Sequence, residues 1–280
     1  MNTSPPRSDT GADSRIAVVR EISGRSARAG RAIPSVVTVA VLVVLWQAYV
    51  VLSGIRPQLL PSPTRVVAQG WAHRAELATH ATATLQVTLA GFAVSLSLAW
   101  LLAVLVDFSP WLRRAFVPLF VASQTLPIIA IAPLMIIWFG FGLLPKVLVV
   151  ALVTFFPMAI GLIEGFAAAD REAGALLRSM GASAVQVFRY VRLPSAIPRF
   201  FTALRIGITY AVVGAVFAEY VGATEGLGIY MSLQKNSFRT DLVLAAVLVT
   251  AFISIALYLL TFAIERLVAP WSRAGEQERA

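Results

Sequence analysis

Among the residues that could do chemistry, Glu219 comes first: it ends an apolar run and is followed by "TEGLG" at 224–228. An ionisable group at membrane depth is costly and marks a functional position by default. Glu219 therefore reads either as a hydrated acid at the membrane interface or as a gate residue. The second candidate is "SQTLPIIAIAP", 123–133, where Ser123, Gln124 and Thr125 stand beside Pro127 and Pro133. Proline removes an N–H and frees carbonyls, which survive in a bilayer only against protein or a wet cavity. Ser123, Gln124, Thr125, Pro127 and Glu219 are thus expected along a translocation pathway. The alternative is a packed kink satisfied by its own hydroxyls. Thr154, Pro157 and Glu164 are lesser candidates. His73 and His80, beside Glu76, lack a third and fourth ligand and read as part of a wet amphipathic helix rather than a metal site. With no cysteine, thiolate and disulfide chemistry is excluded.

The elements that position these residues must be membrane helices. The chain has 280 residues, 58% hydrophobic and 13% charged, with mean hydropathy +0.79. Soluble domains carry about 25% charged residues. Crossing about 30 Å of hydrocarbon takes about 20 apolar residues. Six segments qualify: 33–53, 82–106, 115–139, 144–165, 201–222 and 242–264. The fifth requires Arg205 to snorkel and Glu219 to face protein or water. Residues 63–80, opened by Pro63 and carrying Trp71, fit an interfacial helix. The first 31 residues, polar and arginine-rich, read as a disordered tail.

The net charge of +9 sits between apolar runs and not on a stripe, so nucleic acid is not an expected partner and lipid headgroups are. Sixteen of the 23 basic residues fall on one side of a six-span chain, including Arg113, Arg114, Arg171, Arg178, Arg189, Arg192 and Arg199. Basic loops stay inside, which puts both termini and the loop after span four in the cytoplasm. That loop, with residues 170–187, reads as a short amphipathic helix broken near Gly181, then ended by Pro194 and Pro198. It is either a docking knob or a segment whose arginines only set topology. On span five, Gly207, Ala211, Gly214 and Ala218 allow close helix approach, within the bundle or between copies of the chain.

The loop resembles the cytoplasmic "EAA" loop of the permeases of binding-protein-dependent ABC importers: E-A-A, three residues, Gly, nine residues, then Ile-x-Leu-Pro. Gly181 matches the glycine and Val191-Arg192-Leu193-Pro194 the ending, while Ala175-Leu176-Leu177 stands at the E-A-A positions and Glu172 lies one turn earlier. "PSPTRV" (61–66), "APLMIIWFGFGLLPKVLVVALVTFFP" (132–157) and "AEYVGATEGLG" (218–228) resemble the branch importing sulfonates, taurine, nitrate and thiamine-pyrimidine or flavin-type heterocycles. The resemblance implies an all-α membrane protein of six transmembrane helices with a coupling loop between helices 4 and 5. It implies a tail 1–31, a permease domain 32–268 with its loop at 167–200, and a cytoplasmic tail 269–280. Glu172, Ala175, Gly181, Ala182, Leu193 and Pro194 would couple to an ATPase. The implied partners are a second permease copy, two ATPase subunits that hold ATP–Mg, and an extracytoplasmic solute-binding protein, all at a bacterial inner membrane.

The chain itself lacks G-x-x-x-x-G-K-[ST], H-E-x-x-H and paired intramembrane aspartates, so ATP hydrolysis and intramembrane catalysis are not expected of it, nor any cofactor. A channel or secondary carrier would show a filter loop or an inverted repeat. The quoted segments stand closer to the pyrimidine-and-flavin branch than to the sulfonate branch. A thiamine-pyrimidine precursor or related heterocycle is the first expectation for the solute, and an alkanesulfonate, taurine or nitrate the second.

Overall fold

A computed structural model describes residues 34–269 apart from positions 35 and 126, and gives 128 and 129 as backbone only. The expected tails, 1–31 and the part of 269–280 beyond Ala269, lie outside the described residues. Among the described residues every regular element is helical, and five helices are long and apolar enough to span a membrane. Residues up to Arg65 and from Val66 onward form two compact units.

The first unit holds α1 (Val36–Ser53), whose Val and Leu side chains are exposed on nearly every side. After it, Thr64 N–H and the Thr64 hydroxyl both donate to Gln47 Oε1 at 3.3 Å, tying the chain back to its own helix.

The second unit begins within α2 (Pro63–Ala72). The chain bends at His73 and continues as α3 (Arg74–Phe108). The expected interfacial helix 63–80 is therefore corrected: it stops at Ala72, and 74–80 are the first turns of a spanning helix. At 1.5 Å per residue the 35 residues of α3 reach about 52 Å, so α3 overshoots the hydrocarbon.

The third expected span is broken in two: α4 (Pro110–Ser123) and α5 (Ile128–Phe139). Pro127 removes the amide that would continue the ladder, and the hydroxyls of Ser123 and Thr125 donate to the carbonyls of Phe120 and Ala122, each at 2.7 Å. At about 21 and 18 Å neither piece crosses by itself.

The core is built by α6 (Leu143–Ala167), α9 (Leu193–Gly222) and α3. Lipid offers no hydrophobic drive between helices, so packing depends on small residues. Ala99, Ala103, Ala159, Ala196, Ala211 and Ala215 are fully buried at these seams. A Cβ at Gly165 would come within 3.1 Å of the Ala196 backbone, and one at Gly207 within 3.1 Å of Met158.

Between α6 and α9 stand α7 (Arg171–Ser179), the single turn α8 (Ala184–Val187) and a π-helical turn, Phe188–Arg192. The expected stop at Pro194 and Pro198 does not occur, for the helix runs unbroken from Ala184 to Gly222. The widened π register precedes Pro194, which sits in the first turn of α9, where a missing N–H costs least. Beyond Gly222, α10 (Leu227–Asn236) and α11 (Thr240–Val268) complete the unit. Arg205 does not snorkel alone: it pairs with Glu265 of α11 at 3.2 Å.

Candidate functional site: a two-helix knob, a cavity and a buried carboxylate

The knob is specified by local capping. Asp170 Oδ1 accepts the amides of Glu172 at 2.8 Å and Ala173 at 3.3 Å, starting α7. Gly181, at φ +88, ends it: its N–H donates to Arg178 C=O at 2.9 Å, and that of Ala182 to Leu177 C=O at 3.0 Å. This is the Schellman arrangement, which needs the left-handed backbone glycine supplies. Ser183 and Gln186 then form a reciprocal capping box on α8. Val187 is buried, and Gly174 faces it at Cβ distance 3.6 Å. Large apolar side chains stay bare on its surface: Leu176, Met180, Val185 and Tyr190 are 62–75% exposed.

The coupling candidates divide. Glu172 lies on the same exposed face of α7 as Leu176. Ala175, also exposed, borders an open concavity on another face of α7 with Arg171, Gly174 and Arg178. Ala182 is half-buried in the turn, and Leu193 and Pro194 are half-buried at the start of α9. Arg192 ties the knob to α3 through a 2.7 Å ion pair with Asp107, whose side chain is 5% exposed. Asp107 and Asp170 drew no attention in the sequence, because a lone Asp beside a loop has no spacing signal.

At the α4–α5 break, Ser123 and Gln124 line a cavity of about 170 Å³ with Phe156, Pro157 and Tyr210. Gln124, Pro157 and Tyr210 also border a wider space of about 530 Å³ that reaches Glu164, Arg199 and Thr202. Pro157 and Glu164, the lesser candidates of span four, are thus placed on it, while Thr154 is buried and bonds back to Val150 C=O at 2.8 Å. Thr125 and Pro127 shape the break without lining either space. Tyr210 and Phe156 were not foreseen: aromatic residues recur along every span and carry no positional mark.

Glu219 stands apart from that cavity. It is fully buried, so the hydrated-acid alternative is overturned. Its Oε2 accepts the Thr84 hydroxyl at 2.9 Å and the Gly228 amide at 3.0 Å. The Leu227 amide donates to Thr84 Oγ1 at 2.8 Å, and the Gly226 amide to His80 Nδ1 at 3.1 Å. Three successive amides at the start of α10 thus end on His80 and Thr84, one turn apart on α3, and on a carboxylate from α9. The first turn of a helix has unsatisfied donors and partial positive charge, which is what a carboxylate complements. The glycines follow from this: Gly226 has φ +127, and a Cβ at Gly228 would collide with Val216 C=O. His80 is therefore a structural acceptor, and among the described residues no group of acids and histidines could hold a metal. The stripe Gly207, Ala211, Gly214 and Ala218 is buried within this chain, against α6 and α3 at Gly207 and against α6 at Gly214, which favours the bundle over a permease–permease seam.

Residues 91–274 match the family described as the binding-protein-dependent transport system inner membrane component. The chain is 39% identical over 84% of its length, and 88% of the relative's, to the riboflavin transport system permease protein RibX of Chloroflexus aurantiacus. It is 36% identical to the formylaminopyrimidine transport permease protein ThiX of Halalkalibacterium halodurans, over 83% of this chain and 93% of the relative. To the taurine transport system permease protein TauC of Escherichia coli it is 34% identical, over 85% and 89%. Among solved structures, a chain of the inward-facing MetNI methionine ABC transporter superposes with TM-score 0.55 at 20% identity, covering 68% of this chain and 98% of that one, which shows a shared fold. The chain belongs to the binding-protein-dependent transport system inner membrane components: it is a multi-pass inner-membrane ABC permease, a transmembrane subunit and not an enzyme.

Proposed function

We propose that this permease carries a planar heterocycle of the thiamine-pyrimidine or flavin type through a path between α4–α5, α6 and α9, driven by an ATPase that grips the α7–α8 knob. The observation that carries the coupling is the knob itself: a segment capped at both ends that leaves Leu176, Met180, Val185 and Tyr190 bare on its outer face. Such a preformed apolar face suits insertion into a groove of a partner. In this reading α4–α5 together make the sixth crossing, both termini and the knob are cytoplasmic, 32–268 is the permease domain, and two copies pair around the path. The ATP–Mg sits on the ATPase subunits, and a solute-binding protein delivers cargo from the other side.

The solute class rests on two supports. The relatives at 39% and 36% identity are named for riboflavin and formylaminopyrimidine. The narrower cavity offers Phe156, Tyr210, Gln124 and Ser123 and no cation, which suits stacking and hydrogen bonding of a neutral ring better than an anion. Alkanesulfonate, taurine or nitrate is the second reading, favoured by the similarity to the taurine permease. Uptake by the assembled transporter, competed separately by riboflavin, formylaminopyrimidine and taurine, decides between them. Co-purification of the ATPase with wild type but not with Leu176→Asp/Met180→Asp tests the coupling. If the ATPase stays bound to that variant, the knob is not its dock.

A further inference from the structure

Beside the knob lies an open concavity of about 580 Å³, bordered by one face of α7, the end of α3 and the start of α4, with Arg113, Arg171 and Arg178 exposed on its rim. It plays no part in the path described above. Residues 171, 174, 175 and 178 of α7 line it at the i, i+3, i+4, i+7 spacing of one helix face, and 172, 176 and 180 point the other way. The same helix therefore presents Leu176 and Met180 beside Glu172 on one side, and Arg171 and Arg178 on the other.

The charge around this space is unbalanced. Arg113, Arg171, Arg178 and Arg192 all line it, with Asp107 and Asp170. Both carboxylates are already engaged, Asp107 by Arg192 at 2.7 Å and Asp170 by the amides that start α7. Arg113, Arg171 and Arg178 have no ion-pair partner among the described residues. Like charges gathered on one concavity repel, and an anion between them relieves that repulsion. Guanidinium forks pair bidentately with phosphate oxygens. The concavity sits where α3 ends and α4 begins, beside Trp111, which is 74% exposed as an aromatic residue at headgroup depth is.

We propose that this concavity is a binding site for a phosphate-bearing anion, held by Arg113, Arg171 and Arg178. The phosphate can belong to the headgroup of an anionic phospholipid or to a soluble phosphate, and the chemistry of the site is the same for both.

The test uses the full transporter in nanodiscs. Wild type, Arg113→Gln/Arg178→Gln and Arg114→Gln are compared; Arg114 is exposed like Arg113 and Arg178 but does not line the concavity. In discs containing phosphatidylglycerol, native mass spectrometry counts lipid retained on the permease. In phosphatidylcholine discs, calorimetry follows inorganic phosphate. Near a membrane surface each basic residue contributes about fivefold to anion affinity, so the double variant should bind about thirtyfold more weakly and Arg114→Gln as wild type. Loss in the first experiment identifies a lipid phosphate, and loss in the second a soluble one. Either supports the site. If neither probe separates the double variant from Arg114→Gln, the proposal fails. It fails also if the double variant loses only a partner subunit while both phosphate probes bind unchanged, since the arginines would then serve an acidic protein segment. Should the double variant not fold, wild type still decides: retained phosphatidylglycerol should be displaced by inorganic phosphate and not by chloride at equal ionic strength. Equal displacement by both overturns the site.

Discussion

The carboxylate of Glu219 accepts the backbone N–H of Gly228 at 3.0 Å, fully shielded from solvent, and so fastens the start of α10 to the end of α9. Removing it strands the Gly228 amide in the interior, while the Thr84 hydroxyl keeps the His80 C=O at 3.1 Å. Glu219→Ala should destabilise the permease by about 1–3 kcal/mol, read as an earlier thermal transition in detergent. Glu219→Gln keeps an acceptor for both donors and should lose well under half of that. Equal losses for the two variants would mean that charge, not the acceptor, does the fastening.

Gly181 tests the knob by backbone alone. Its φ is +88, and nothing lies within 4 Å of where a Cβ would be. Substitution therefore strains the turn without a clash. Gly181→Val should weaken ATPase co-purification more than Gly181→Asn, because Asn tolerates the left-handed region and a β-branched residue does not. The expected gap is about 1 kcal/mol. Identical behaviour would show that the turn is remade when the partner binds.

The pair Asp107–Arg192 joins the knob to α3. Asp107→Asn should cost about 1.5–3 kcal/mol and raise ATP hydrolysis unaccompanied by uptake, as the knob loses its hold on the bundle. The exchange Asp107→Arg/Arg192→Asp restores the pair and should recover part of the coupling. A double variant no better than either single one would assign the effect to the site and not to the pair.

Packing between α6 and α9 has no spare volume at Gly165, which meets the Ala196 backbone. Gly165→Val should force the helices apart and cost about 1–3 kcal/mol, lowering the yield of folded permease. The same change at Gly54, where nothing lies within 4 Å, meets only backbone strain at φ +62. Comparable yields from the two would count against close packing as the source.

For the path, Gln124→Leu and Tyr210→Ala remove a polar and a stacking group from the cavity wall. Each should raise the half-saturating solute concentration for uptake by about three- to tenfold, while leaving solute affinity of the binding protein unchanged. Uptake curves that superpose on wild type would move the path away from the α4–α5 break.

Much of this was legible in the chain itself. Runs of apolar residues long enough to cross a bilayer marked the spanning helices, because length and hydropathy are all the bilayer reads. The knob was bounded by Gly181 and the polar residues around it, because caps act within a turn of the backbone. Pro127 marked the weak point of the third span, though not that it would part the helix in two. The partners of Glu219 could not be read, since Thr84 lies 135 residues away and nothing local links them. Nor could the continuation of the helix through Pro194 be read, because it depends on a π-helical turn just ahead of it. The inward turn of Gly207, Ala211, Gly214 and Ala218 was likewise decided by which helix α9 meets. The sequence by itself determined what the bilayer and the local backbone act on, namely length, hydropathy and caps. The tertiary structure alone decided which buried polar groups satisfy one another, because a hydrogen bond across the bundle is selected by packing and leaves no periodic trace along the chain.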